Sequence, residues 1–76
     1  MSIVLYHRID DPDCAAVRRR VVALSLKPLI DFQNVDTDGA EAFAALGART
    51  VPALSDGERV HEGRDAVLAA LETLRP

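Results

Sequence analysis

Seventy-six residues carry nine Lys and Arg against twelve Asp and Glu, a net charge of −3, and 49% of them are apolar. A chain of this length buries roughly 60% of its unfolded surface, which supports one small core and one domain over residues 1–76. No apolar run approaches the ~20 residues of a membrane span, "MSIVLY" lacks the basic-then-apolar order of a secretory signal, and the acidic balance argues against nucleic acid as a partner.

One cysteine excludes an internal disulfide framework and fits a reducing, cytoplasmic setting. "SIVLYH" is a short β-rich apolar run, read as a strand buried on both faces. "DDPDC" then starts a helix, with Asp11 as N-cap, Pro12 at the first helical position and Asp13 in the first turn. Cys14, Val17, Val21 and Leu24 follow at helical spacing, one apolar stripe headed by the cysteine. Pro28 ends that helix, and "LIDFQNV" reads as the second strand. "DTDGAEAFAALG" predicts a short helix with Phe43 and Leu46 inward and Gly47 as its stop. "TVPALS" and "ERVHE" flank the turn "DG" as a hairpin, and "GRDAVLAALETL" predicts a helix with Val67, Leu71 and Leu74 on one face. Tyr6, Phe32 and Phe43 are the largest pieces available to the core.

The order is β-α-β-α-β-β-α. A strand–helix–strand opening requires a right-handed crossover and a parallel pair, whereas the hairpin requires an antiparallel one. A mixed four-stranded α/β sheet with helices on both faces follows.

"LYHRIDDPDC" at 5–14, "GARTVPAL" at 47–54 and "HEGRDAVLAAL" at 61–71 give the chain a resemblance to the glutaredoxins of the thioredoxin-fold superfamily. It is also similar to the N-terminal domains of glutathione transferases. Nearly the whole chain takes part. Glutaredoxins carry a C-x-x-C motif in the turn into the first helix, which falls here on Asp11-Pro12-Asp13-Cys14. The proline and the second cysteine match. Asp11 stands where the attacking thiolate belongs.

Disulfide exchange needs an accessible thiolate, and backbone N–H groups at a helix N-cap lower the thiol pKa there. A carboxylate at Asp11 cannot attack a disulfide. Cys14, three residues into the helix, gains about 0.3–1 kcal/mol from the dipole. Against this stand Asp11 and Asp13 as like charges, together with burial on an apolar stripe. The balance favours a structural cysteine over a reactive thiol.

What the resemblance implies beyond the thiol is ligand binding. Thr50-Val51-Pro52 match the family's cis-proline motif, in which the residue before the proline offers its backbone to an extended peptide such as glutathione. Arg64 and Asp65, at the start of the last helix, match the contacts to the γ-glutamyl end. Arg8 and Arg49 match basic positions that hold the glycine carboxylate. Gly63 matches the second glycine of the usual pair, with Glu62 in place of the first. In the transferase alignment Gly63 replaces a serine and its hydroxyl.

Arg18, Arg19 and Arg20 lie about 100° apart on a helix and read as a solvated face. His7 and His61, at strand ends, lack metal-ligand spacing, so no metal site is expected. Iron–sulfur binding of the glutaredoxin type uses the absent first cysteine. No cofactor is required. The leading expectation is a glutaredoxin-like module that binds glutathione or a protein thiol partner without dithiol chemistry. The alternatives are a glutathione-dependent oxidoreductase using Cys14 alone, and a transferase-type glutathione domain. That last reading calls for a second, all-helical domain beyond these residues.

Overall fold

The computed structural model describes residues 2–74; Met1, Arg75 and Pro76 of the predicted domain lie outside them. All seven expected elements are present in the expected order: β1 (Ile3–His7), α1 (Pro12–Ala23), β2 (Ile30–Asn34), α2 (Ala40–Ala45), β3 (Ala53–Ser55), β4 (Val60–Glu62) and α3 (Arg64–Leu71). A short 3-10 turn, Lys27–Leu29, carries Pro28. The sheet order is β2-β1-β3-β4. β1 runs parallel to β2, with Ile3 opposite Ile30 and His7 opposite Asn34. β3 is antiparallel to both β1 and β4.

Period-two alternation along β1 divides the core. Leu5 faces one side with Ile30, Leu54, Val17 and Val21 of α1, and Val67 and Leu71 of α3. Tyr6 faces the other with Val35, Ala48 and Ala53, and Phe43 of α2 packs against that cluster. Its ring meets Tyr6 at 5.8 Å. Two helices thus cover one face and a short helix the other. Each fully buried Leu or Val contributes about 1.5–3 kcal/mol through its lost apolar surface.

Several boundaries differ from the sequence reading. α2 begins at Ala40 instead of Asp36, because local side-chain bonds claim the backbone first. Asn34 N–H donates to Asp38 Oδ1 and Asp36 N–H to Asn34 Oδ1, both at 2.9 Å, a competition that disfavours helix. Gly39 is required here by space: a Cβ would stand 2.8 Å from that of Gln33. The expectation that Leu46 points inward fails. The helix stops at Ala45, and Leu46, as C-cap, is exposed. Residues 50–52 lie outside β3, where the Val51–Pro52 peptide is cis. The hairpin loop spans Asp56–Arg59, with Asp56 Oδ1 accepting from the N–H groups of Glu58 and Arg59. His61 is consequently central in β4 and not at its end. α3 ends at Leu71, where Thr73 turns its hydroxyl onto the Ala70 carbonyl at 2.7 Å. Among the described residues, no helix is long and apolar enough to cross a membrane.

Candidate functional site

The turn between β1 and α1 is held from three directions. Asp11 is the N-cap of α1, as its sequence position predicts, and its Oδ1 accepts the Cys14 N–H at 2.9 Å. Cys14 is fully buried, and its Sγ accepts the Arg8 N–H at 3.4 Å. Arg18 reaches back from α1, donating to the Arg8 carbonyl at 3.2 Å and the Ile9 carbonyl at 3.0 Å, with its Nη1 also 3.0 Å from His7 Nδ1. Arg18 is therefore a brace for the turn, which corrects its reading as part of a solvated face. Arg20 is engaged too, donating to Glu72 at 3.1 Å.

Electrostatics at the turn oppose a thiolate. Burial pushes the Cys14 thiol above its ordinary value, and the Asp11 carboxylate adds to that. The Arg8 N–H and the Arg18 charge pull the other way without reversing it. Asp11 itself is held low, chiefly by the Cys14 N–H it accepts.

On the far side of α1's first turn lies an open cleft of about 490 Å³, lined by Asp13, Glu62, Gly63, Arg64, Asp65 and Ala66. Two helix N-termini frame it, those of α1 and α3. Arg64 spans the opening, 3.6 Å from Asp13 Oδ1 and 3.2 Å from Asp65 Oδ1. These pairs are half exposed or more and are worth at most about 1 kcal/mol each, so an incoming charged group can displace them. Gly63 enters α3 at φ 89° and ψ 156°, a backbone conformation that favours glycine.

Of the residues expected from the sequence, Gly63, Arg64 and Asp65 share this cleft. Thr50 and Arg49 are tied to its rim by backbone, their N–H groups donating to Glu62 Oε1 at 3.0 and 2.8 Å. Pro52 is tied in the same way, its carbonyl accepting the Gly63 N–H at 2.9 Å. Val51, half-buried, packs against the Tyr6 cluster. Arg8 is not among the cleft's lining residues; its Nε bonds both carboxylate oxygens of Asp36, at 3.3 and 3.1 Å. The sequence reading missed Asp13 as a lining residue and Glu62 as a tie, because both contacts join segments far apart in the chain. No spacing rule announces them. Among the described residues, no group of three or more His, Cys, Asp or Glu could hold a metal ion.

No protein-family model and no curated protein sequence matches the chain. Among solved structures, it is similar to NrdH-redoxin from Escherichia coli, described as a glutaredoxin-like protein with a thioredoxin-like activity profile. The two are 28% identical, with a TM-score of 0.77, over 100% of this chain and 97% of that one. This chain has a glutaredoxin-like thioredoxin fold. The mixed four-stranded sheet and three helices expected from its motifs are those of that fold. Its likeness extends to a redox-type protein and runs the full length of the glutaredoxin-like scaffold.

The perturbed groups that titrate below neutral pH share one sign, opposite to that of Cys14. His7 is held below its ordinary 6.5 first by burial and then by Arg18, with Asp38 opposing. Asp11, Asp56 and Glu62 are likewise held low, each chiefly by backbone N–H groups. Through the acidic range the folded chain thus binds fewer protons than the unfolded one, so the stability these groups contribute is full above their unfolded values and lost as pH falls through the folded ones. We expect the melting temperature to begin falling below pH 6.5 through His7 and to fall further below 4.5 through the carboxylates. His7→Gln, which keeps an acceptor for Arg18, should abolish the upper step. A parent melting temperature that is flat between about pH 7 and about pH 5 would refute the assignment.

Proposed function

We propose that the chain is a glutaredoxin-like binding module without dithiol exchange. Its ligand is glutathione, or an extended segment of a protein thiol partner, lying along Val51 and entering the cleft at Gly63–Asp65. One observation carries this reading: the chain's only cysteine is fully buried beneath the turn, while the N-cap position is filled by the carboxylate of Asp11. In the C-x-x-C pattern that carboxylate stands in the place of the nucleophile. The thioredoxin-like activity of NrdH-redoxin supports a redox ancestry for the scaffold, but exchange needs a thiolate at the surface. The cleft supports the binding half of the proposal. Arg64 offers a guanidinium to the ligand's α-carboxylate and Asp65 a carboxylate to its ammonium, beside the N–H groups that open α3.

Two measurements test it together. Wild-type protein should reduce a glutathione mixed disulfide no faster than the Cys14→Ser variant. Titration with millimolar glutathione should shift the amide resonances of Val51, Gly63 and Asp65. Turnover that disappears in Cys14→Ser would sink the non-catalytic reading. Unmoved resonances would sink the glutathione ligand, and a protein partner's peptide would then be the probe to titrate.

A further inference from the structure

Glu62 is exposed at the end of β4, and a surface glutamate has no obligation to hold one geometry. Here it does. A single carboxylate oxygen, Oε1, accepts two consecutive backbone N–H groups, those of Arg49 and Thr50 at 2.8 and 3.0 Å. Consecutive N–H groups converging on one point form the concavity with which proteins bind anions. In this chain the anion is internal. The next residue repeats the connection in the opposite sense, with Gly63 N–H donating to the Pro52 carbonyl at 2.9 Å. Residues 49–52 belong to no strand, so these bonds replace the ladder that would otherwise fix them.

The position of this tie matters because of what lies on either side. Val51 directly follows Thr50, and Gly63, Arg64 and Asp65 directly follow Glu62. The two halves of the proposed ligand site are thus joined by one carboxylate and by the Gly63–Pro52 backbone bond beside it. The depressed pKa of Glu62, caused first by the Arg49 N–H and then by the Thr50 N–H, agrees with a carboxylate that stays charged in this role.

We infer that Glu62 is a positioning residue, holding the 49–52 backbone at a fixed distance from the cleft so that an extended ligand meets both at once. This inference rests on the binding reading above. It adds a constraint on the ligand: the two N–H groups at 49 and 50 are taken, so a ligand carboxylate must find other donors. Without Glu62 the loop's N–H groups turn to water, and binding must then supply the cost of ordering the loop.

The test uses the full chain as wild type, Glu62→Gln and Glu62→Ala. Hydrogen exchange of the Arg49 and Thr50 amides should accelerate about tenfold or more in Glu62→Ala, as expected when charge-assisted bonds are lost. In the same variant the core amides of Leu5 and Leu54 should keep their protection. Glu62→Gln, which retains an acceptor oxygen, should recover most of the slow exchange. Excess acetate should slow exchange in Glu62→Ala alone, by seating a carboxylate in the vacated concavity. Glutathione affinity, followed by amide shifts, should fall about tenfold in Glu62→Ala and less in Glu62→Gln. Unchanged Arg49 and Thr50 exchange in Glu62→Ala overturns the inference, as does unchanged affinity where wild type binds. If wild type does not bind glutathione but the two amides respond as described, the ligand reading fails while the tie stands.

Discussion

Asp11→Cys should convert the chain into a measurable thiol–disulfide reductant, at least about tenfold above the parent in a glutathione-coupled assay. The physical setting at this position favours a thiolate. It is the N-cap of a twelve-residue helix, where Asp11 already accepts a backbone N–H, and the Arg8 charge helps to keep that carboxylate ionised. A thiolate there attacks the substrate disulfide, forming a mixed disulfide and releasing one substrate thiolate. Cys14 then gives up its proton and attacks the sulfur at position 11 in the mixed disulfide, releasing the second substrate thiol and closing a disulfide across Pro12 and Asp13. Glutathione returns the pair to its reduced form. The substitution also removes a carboxylate cap, so the melting temperature should fall by several degrees. A folded but inactive Asp11→Cys protein would show that the scaffold has lost more than its first thiol.

Native Cys14 should react with iodoacetamide about a hundredfold more slowly than the same thiol in denatured protein. Reaction requires both exposure and ionisation, and each is opposed. The side chain is fully buried at the head of the α1 stripe, its sulfur accepts the Arg8 N–H, and burial raises its pKa. Labelling must therefore wait for an opening of the turn, whose population is set by its local stability. Arg18, which clamps the Arg8 and Ile9 carbonyls, makes that opening costly. Arg18→Ala should accordingly speed labelling while leaving the denatured rate unchanged. Rapid modification of the native parent at neutral pH would return Cys14 to the list of working thiols.

Most of the fold could be read in advance because its determinants are local. Asp11-Pro12-Asp13 specifies a helix start by capping and φ preference. The spacing of Cys14, Val17 and Val21 specifies a buried stripe, and all three are fully buried. Where the structure departs from these local signals, a competing interaction wins. Leu46 has an apolar side chain, yet the helix that would have turned it inward ends one residue earlier, and side-chain bonds around Asn34 delayed that helix's start.

The amino-acid sequence alone determined the element order, the cap at Asp11 and the apolar stripe of α1, since capping, periodicity and turn chemistry act within a few residues. Only the tertiary structure decided which groups are free to meet a ligand. The parallel register sets His7 beside Asn34, which brings Arg8 to Asp36 across 28 positions. The antiparallel pairing of β3 with β4, which sets Ala53 opposite Glu62, brings Glu62 to Arg49 and Thr50 across 13 and 12 positions. A side chain's choice of partner follows from the register of the sheet and the crossing of helices, which no short stretch encodes. For that reason Arg18's brace and Glu62's tie emerge only when the chain is folded.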